Sequence, residues 1–199
     1  MSRFVIAAPL GVEAAIVRSA GHRGAVHKTG MGTARARASA AKLADAPGDV
    51  LLVLGFCGGL DEHSVPGEVI VADTVSSAQD EGHAPERVPC VDADRLTVLL
   101  RGRGLSVREG EIVCVSKIAL GERRGQLLAA GALAVDMESV WLAPGARERP
   151  FAVVRVVLDS PSHELLRPQA VAGAVRAARA LRRVARALHE WMPEVRHAG

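Results

Sequence analysis

A chain of 199 residues, 49% hydrophobic and 24% charged, carries enough apolar side chain for one sizeable core and lies far from a disordered composition. The net charge of +3 is mild, and 3% aromatic residues with no Tyr leave little with which to build base-stacking platforms, which argues against a nucleic-acid partner. Cys57, Cys90 and Cys114 are odd in number and form no CxxC or Cys/His cluster, which argues against a disulfide framework or a zinc site and fits a reducing compartment.

In chain order, the apolar run at the start is broken by Pro9, Gly11 and Glu13 too soon for a signal segment. No run approaches the length of a membrane span, and the expected location is the cytoplasm. "RFVIAAP" reads as a buried strand and "GVEAAIVRSAG" as a helix with a Gly stop, the opening of an α/β unit. "GAVHKTG" predicts a short strand, "TARARASAAKLADA" a helix with a Thr cap, and "DVLLVLGF" a continuous apolar strand buried on both faces. "GEVIVADTV" predicts another strand, and residues 79–89 a polar surface loop. "DADRLTVLLRGRG" reads as a helix, "EGEIVCVSKIAL" as a strand, "ERRGQLLAAG" as a helix, and "ALAVDMESVWLA" as a short strand running into a helix. "PFAVVRVVLDS" is the final strand, and residues 167–192 the longest helix. In that helix Arg176, Arg179, Arg183 and Arg186 form one face, with Val171, Val175, Leu181, Val184 and Leu188 opposite, a solvated surface by default. The alternation predicts one domain over residues 1–199: a three-layer α/β/α sandwich around a mixed, largely parallel sheet.

Ligands of open α/β sheets gather where strands end and loops lead into helices. Four such junctions carry chemistry: "APLGVEA", "GFCGGL", "VDMES" and "VLDSP". "GFCGGLD" lacks the GK[ST] ending of a P-loop and the GxGxxG pattern, and by itself reads as a tight turn. Glu13 alone reads as a solvated first-turn acid complementing the helix dipole, or as a carboxylate aimed at a ligand. Asp159 is either a turn cap or a strand-end acid. Asp136 and Glu138 are costly to bury unless paired, hydrogen-bonded or used by a ligand. If the chain turns to helix after Val135 they diverge by about 200°, so that one reaches the ligand and the other caps the helix.

The order of these pieces resembles the purine nucleoside phosphorylase and uridine phosphorylase superfamily. A strand-end Glu comes first, then "GMG", "GFCGGL" followed by "PGEVIVADTV", "AVDMES", and a last strand ending in Asp. Within it the chain resembles the branch of methylthioadenosine/adenosylhomocysteine nucleosidases and futalosine hydrolases, and most of all its hopanoid-associated members, which act on adenosylhopane. The resemblance implies cleavage of a purine N-ribosidic bond through an oxocarbenium-like sugar, with no metal or organic cofactor. It assigns Glu138 to the ribose hydroxyls, Met137 to the sugar pocket, Asp159 to protonating the base and Glu13 to the attacking water. Gly58 and Gly59 would leave room for the nucleophile. Phe151, Phe56 or Trp141 would stack on the base. Asp136 is left as structural.

The phosphate-holding Ser and Arg of phosphorylases are replaced by Phe56 and Val53, which favours hydrolysis. Arg35 and Arg37, just after "GMG", keep the phosphorolytic alternative open, and a catalytically silent nucleoside-binding protein on the same fold is the rival from another class. The implied partners are a small nucleoside and further copies of the chain, with peripheral membrane contact if the substrate is a lipid.

Overall fold

A computed structural model describes residues 3–23, 25–78, 86–163 and 170–191. Eight strands, β1 (Phe4–Ala8), β2 (Val26–Lys28), β3 (Val50–Gly59), β4 (Val69–Ser77), β5 (Arg87–Pro89), β6 (Val107–Cys114), β7 (Ala134–Asp136) and β8 (Phe151–Asp159), form one mixed sheet. Six helices accompany it: α1 (Gly11–Ser19), α2 (Thr33–Ala44), α3 (Ala93–Gly102), α4 (Glu122–Ala129), α5 (Ser139–Leu142) and α6 (Ala170–Ala187).

Period-two alternation sends successive side chains of a strand to opposite faces, and here both faces are covered. Phe4 and Ile6 of β1, Leu52 and Leu54 of β3 and Val154 of β8 pack with Val17 of α1, Leu96 of α3 and Leu181 of α6. Their neighbours Val5, Leu51 and Val153 pack on the other face with Leu43 of α2 and Val140 of α5. A third cluster joins Val113 and Val135 to Leu127 of α4. The sheet therefore lies between helical layers, as predicted, and strands buried on both faces read as unbroken apolar runs.

Pairings are parallel for β1 with β2 and β3, for β3 with β8, and for β6 with β4 and β7. They are antiparallel for β3 with β7 and for β4 with β5 and β8. The run β3, β8, β4, β6, β7 and back to β3 is a closed ring. Closure needs β7 to meet only the last two residues of β3, Gly58 and Gly59, which pair with Val135 and Ala134. Thus "GFCGG" is strand, not the tight turn predicted from its glycines. The β3–β8 register slips between Cys57 and Gly58, leaving Leu158 as an extra residue. Bulges of this kind re-aim side chains next to binding sites.

Other departures are local. Residues 87–89 of the predicted loop form β5, an edge strand on β4, while 79–85 lie outside the described residues. The strand predicted over "EGEIVCVSKIAL" stops at Cys114, although Val115 N–H still donates to Asp136 O of β7 at 2.9 Å. On α6 the four arginines are exposed as expected, but Val171 and Val175 are exposed with them, and the burying face is Ala177, Leu181 and Val184. The start of that predicted helix, 167–169, and its last residue, Met192, lie outside the described residues.

Candidate active site

Arg155 lies at the middle of β8, opposite Gly55 of β3, with 0% of its surface exposed. A buried guanidinium persists only if it is surrounded by opposite charge and acceptors. Its Nη2 lies 2.6 Å from Asp136 Oδ2 and 3.5 Å from Glu138 Oε2. The same nitrogen and Nε donate to Ser139 Oγ at 3.0 and 3.3 Å. Nη1 has no hydrogen-bond partner among the described residues.

Asp136 closes β7 and turns the chain into α5. Its carboxylate accepts from the Ser139 hydroxyl, from Cys114 Sγ at 2.7 Å, and from the backbone N–H groups of Glu138 and Ser139 at 3.2 and 3.3 Å. Burial by itself would raise this carboxyl, but Arg155 and then the Cys114 and Ser139 bonds outweigh burial and hold it below the usual range. Asp136 has the geometry of a structural anion that pins the strand-to-helix turn.

Glu138 diverges from it. Its Oε1 accepts from the Gly32 N–H at 2.8 Å, which "GMG" presents by holding Gly32 at φ 91°, a conformation suited to glycine. Burial raises the Glu138 carboxyl, with Arg155 working against that rise.

Glu13 is 1% exposed, so it is no solvated first-turn acid. Its two oxygens accept from Leu10 N–H at 2.5 Å, closing the first turn of α1, and from Phe56 N–H at 2.6 Å on β3. The acid is thereby fixed between a helix start and the sheet. Burial raises its carboxyl above the ordinary value, offset in part by Arg155 and the two backbone bonds. Gly55 makes this packing possible. A Cβ there would lie 2.5 Å from Glu13 Oε1 and 2.8 Å from Arg155 Nη1.

Asp159, at the end of β8 beyond the bulge, is ion-paired with Nη2 of Arg124 on α4. Arg124 is itself buried, donating from Nε to Ala119 O at 2.9 Å and from Nη1 to Gly59 O at 3.3 Å.

One cavity of about 180 Å³ joins these groups. Glu13, Asp136, Glu138, Asp159 and Arg124 line it, with Met137, Gly58, Cys57 and Phe56, and the exposed apolar side chains of Met31 and Ile118 are also on its lining. Burial pushes the Cys57 thiol far up, so it is an inert wall.

The four junctions thus converge on one cavity, with Glu13, Met137, Glu138, Gly58 and Asp159 all on its wall. Gly59 does not line it. A Cβ at Gly59 would meet Ser64 Cβ at 2.4 Å, so its room is taken by the loop behind the site. Phe151 is a correction too: it starts β8 in the core, at the far end from Asp159, about 26 Å away at roughly 3.3 Å per residue. Of the aromatic candidates Phe56 alone lines the cavity, while Trp141 packs on the core under Arg37, whose Cζ lies 4.3 Å from the ring centre. Two site residues, Arg155 and Arg124, were missed from sequence. An Arg inside "FAVVRVV" carries the same burial signal that singled out "VDMES". Arg124, in a charged helix start, carries none.

A sequence profile of the phosphorylase superfamily matches residues 5–189, and the chain belongs to that superfamily. Its fold is shared with solved nucleosidase structures. The 5′-methylthioadenosine/S-adenosylhomocysteine nucleosidase of Neisseria meningitidis, in complex with methylthio-immucillin-A, is 17% identical with a TM-score of 0.77 over 96% of this chain and 100% of that one. The S-adenosylhomocysteine nucleosidase of Streptococcus pyogenes is 19% identical, with a TM-score of 0.72 over 93% and 97%. The futalosine hydrolase of Helicobacter pylori is 14% identical, with a TM-score of 0.73 over 94% and 96%. No curated protein matches the chain.

Proposed function

We propose that the protein hydrolyses the N-ribosidic bond of a purine nucleoside, releasing adenine from a 5′-substituted adenosine. The observation that carries this reading is the convergence of Glu13, Glu138 and Asp159 on one cavity, from three separate junctions. A ribosyl centre developing positive charge is stabilised by fixed carboxylates in a poorly solvated site. Glu138, braced by Gly32 N–H and Arg155, binds the ribose hydroxyls beside Met137. Glu13, raised by burial, takes the proton of the attacking water, the role for which a carboxyl shifted towards neutrality is suited. In this reading Asp159, on the same cavity wall, protonates the departing base as general acid, and Phe56 supplies an aromatic wall.

Water rather than phosphate is the acceptor in this reading. Arg35 is exposed with Nη1 on Met31 O, and Arg37 is stacked on Trp141, so neither is among the cavity's wall residues. The apolar part of the lining, where Met31 is 49% and Ile118 70% exposed, fits a large apolar 5′ substituent of the adenosylhopane kind.

The test is release of adenine from methylthioadenosine, adenosylhomocysteine and an adenosylhopane-type lipid, with and without phosphate. Release independent of phosphate is expected, fastest with the lipid. Strict dependence on phosphate would reverse the choice of acceptor, and binding without release would leave a silent nucleoside-binding protein.

A further inference from the structure

We propose that the outer face of α6, with α1 and α3 beside it, docks the protein on an anionic phospholipid bilayer. Docking of this kind goes beyond the nucleosidase reading and does not depend on it.

α6 carries Arg176, Arg179, Arg182, Arg183 and Arg186 and no Asp or Glu. At about 100° per residue the five arginines fall within an arc of about 120°, with Val175 inside that arc and Val171 at its edge. All of them are exposed, Val171 at 73% and Val175 at 43%. These valines do not serve the core, which α6 meets through Ala177, Leu181 and Val184. The neighbouring helices extend the face rather than neutralise it. α1 and α3 pack on the same side of the sheet, and both touch α6. They add exposed Arg18, Arg95 and Arg101 and exposed Val12 and Val98, against one exposed carboxylate, Asp94. Glu190, just past α6, is ion-paired with Arg103. Arg18, Arg101 and Arg183 donate to the carbonyls of Val26, Val107 and Arg103, and Arg95 lies 3.9 Å from Asp92. Arg176, Arg179, Arg182 and Arg186 have no hydrogen-bond or ion-pair partner among the described residues.

Positive charge without counter-charge selects an anionic partner, and a second copy of the same face is repelled. Nucleic-acid phosphates would meet the arginines but give the valines nothing apolar to touch. An anionic bilayer serves both, because guanidinium groups reach lipid phosphates while apolar side chains of the same face enter the headgroup boundary. From Val171 to Arg186 the face runs about 22 Å, at about 1.5 Å per residue, as a helix lying along a surface requires. Its edge borders the candidate site, since Val12 stands in the chain between Leu10 and Glu13, both on the cavity wall.

The test is sedimentation of the full chain with vesicles of phosphatidylcholine alone and of phosphatidylcholine mixed with phosphatidylglycerol. Binding to the mixed vesicles only, weakened as salt is raised, is expected. Arg179→Gln should weaken it about fivefold, and Arg179→Gln with Arg182→Gln about 25-fold, the worth of one and two basic side chains at an anionic surface. Lys42→Gln, which removes an exposed charge from α2 in the opposite layer, should leave binding unchanged. Val171→Ser with Val175→Ser should weaken it at least about threefold, as apolar area is lost from the contact. All of these are surface positions, so circular dichroism and adenine release from methylthioadenosine should match the wild type. No binding to mixed vesicles, equal binding to neutral ones, or equal losses from Lys42→Gln and Arg179→Gln would overturn the proposal. Tighter binding to duplex DNA than to the vesicles would overturn it too, as would full binding by the valine variant, since any polyanion would then serve. Vesicle binding as expected without adenine release would overturn the nucleosidase reading and leave the membrane face standing.

Discussion

Gly55 and Arg155 are register partners on β3 and β8, and the missing side chain of the first is the space occupied by the second together with Glu13. Substituting Gly55→Ala puts a methyl group 2.5 Å from Glu13 Oε1 and 2.8 Å from Arg155 Nη1, neither of which has somewhere to go. Overpacking of this kind costs about 1–3 kcal/mol. A lowered Tm is expected with at least about a 10²-fold loss of turnover, because shifts near 1 Å at reacting groups have effects of that size. Thermal unfolding beside an adenine-release assay checks it, and full activity would show that the two groups need not be in contact with this position.

Arg155 holds two carboxylates at once. Arg155→Met leaves Asp136 and Glu138 buried without their cation, and breaking a buried pair from one side costs about 3–5 kcal/mol. Urea denaturation should show a loss of that order or a chain that does not fold. Arg155→Lys should recover part of it, as a point charge can meet Asp136 without replacing the bonds to Ser139.

Asp136 and Glu138 should separate cleanly. Asp136→Asn removes the anion that faces Arg155 and accepts from a hydroxyl, a thiol and two amides, so it should destabilise by about 3–5 kcal/mol and lower turnover through the fold. Glu138→Gln should keep Tm within about 1 kcal/mol equivalent and lose activity by about 10²-fold or more. If both variants behaved alike in Tm and kcat, the division into structural and ribose-binding acid would be wrong.

Acid should switch the enzyme off early. In the proposed reaction Glu13 is ionised to accept the water's proton, and its carboxyl is raised by burial, so kcat/KM is expected to fall on acidification at a higher pH than an ordinary glutamate would impose. The limb should vanish in Glu13→Gln, whose residual rate is expected to be about 10²–10⁴-fold lower and independent of pH there. A pH profile from 4 to 8 reads this directly.

A second acid effect belongs to the fold. His22 is buried against His189, their rings stacked with centroids 4.1 Å apart, and its Nε2 lies 2.7 Å from Ala185 O. Burial first, and His189 after it, lower His22 below its ordinary value of 6.5, against the pull of the Ala185 bond. The unfolded chain therefore binds more protons just below that value, and stability present above it is lost as pH falls through the depressed folded value. Tm should drop below about pH 6.5, and the drop should shrink in His22→Phe.

Much of the architecture was open to inspection in the chain itself. Unbroken apolar runs such as "VLLVL" predict strands buried on both faces, and the alternation with helical spacing predicts the layers, because burial has to follow the period of the backbone. The same argument from the cost of burying charge located "VDMES" and, applied to "FAVVRVV", would have located Arg155. Residue type and position along strands also brought Glu13, Glu138 and Asp159 forward, since strand ends are where a sheet offers open space.

Tertiary structure alone decided the rest. Gly58 faces the cavity and Gly59 the loop behind it because β3 continues through both, and the bulge at Leu158 sets where Asp159 points. Phe151 is at the wrong end of its own strand, a matter of direction that composition does not reveal. Arg124 meets Asp159 across 35 residues of chain because the closed ring of strands carries α4 over the end of β8. Local sequence determines which segments are apolar and periodic, since those energies are short-range. Which two distant charges share one buried volume is a property of the closed sheet.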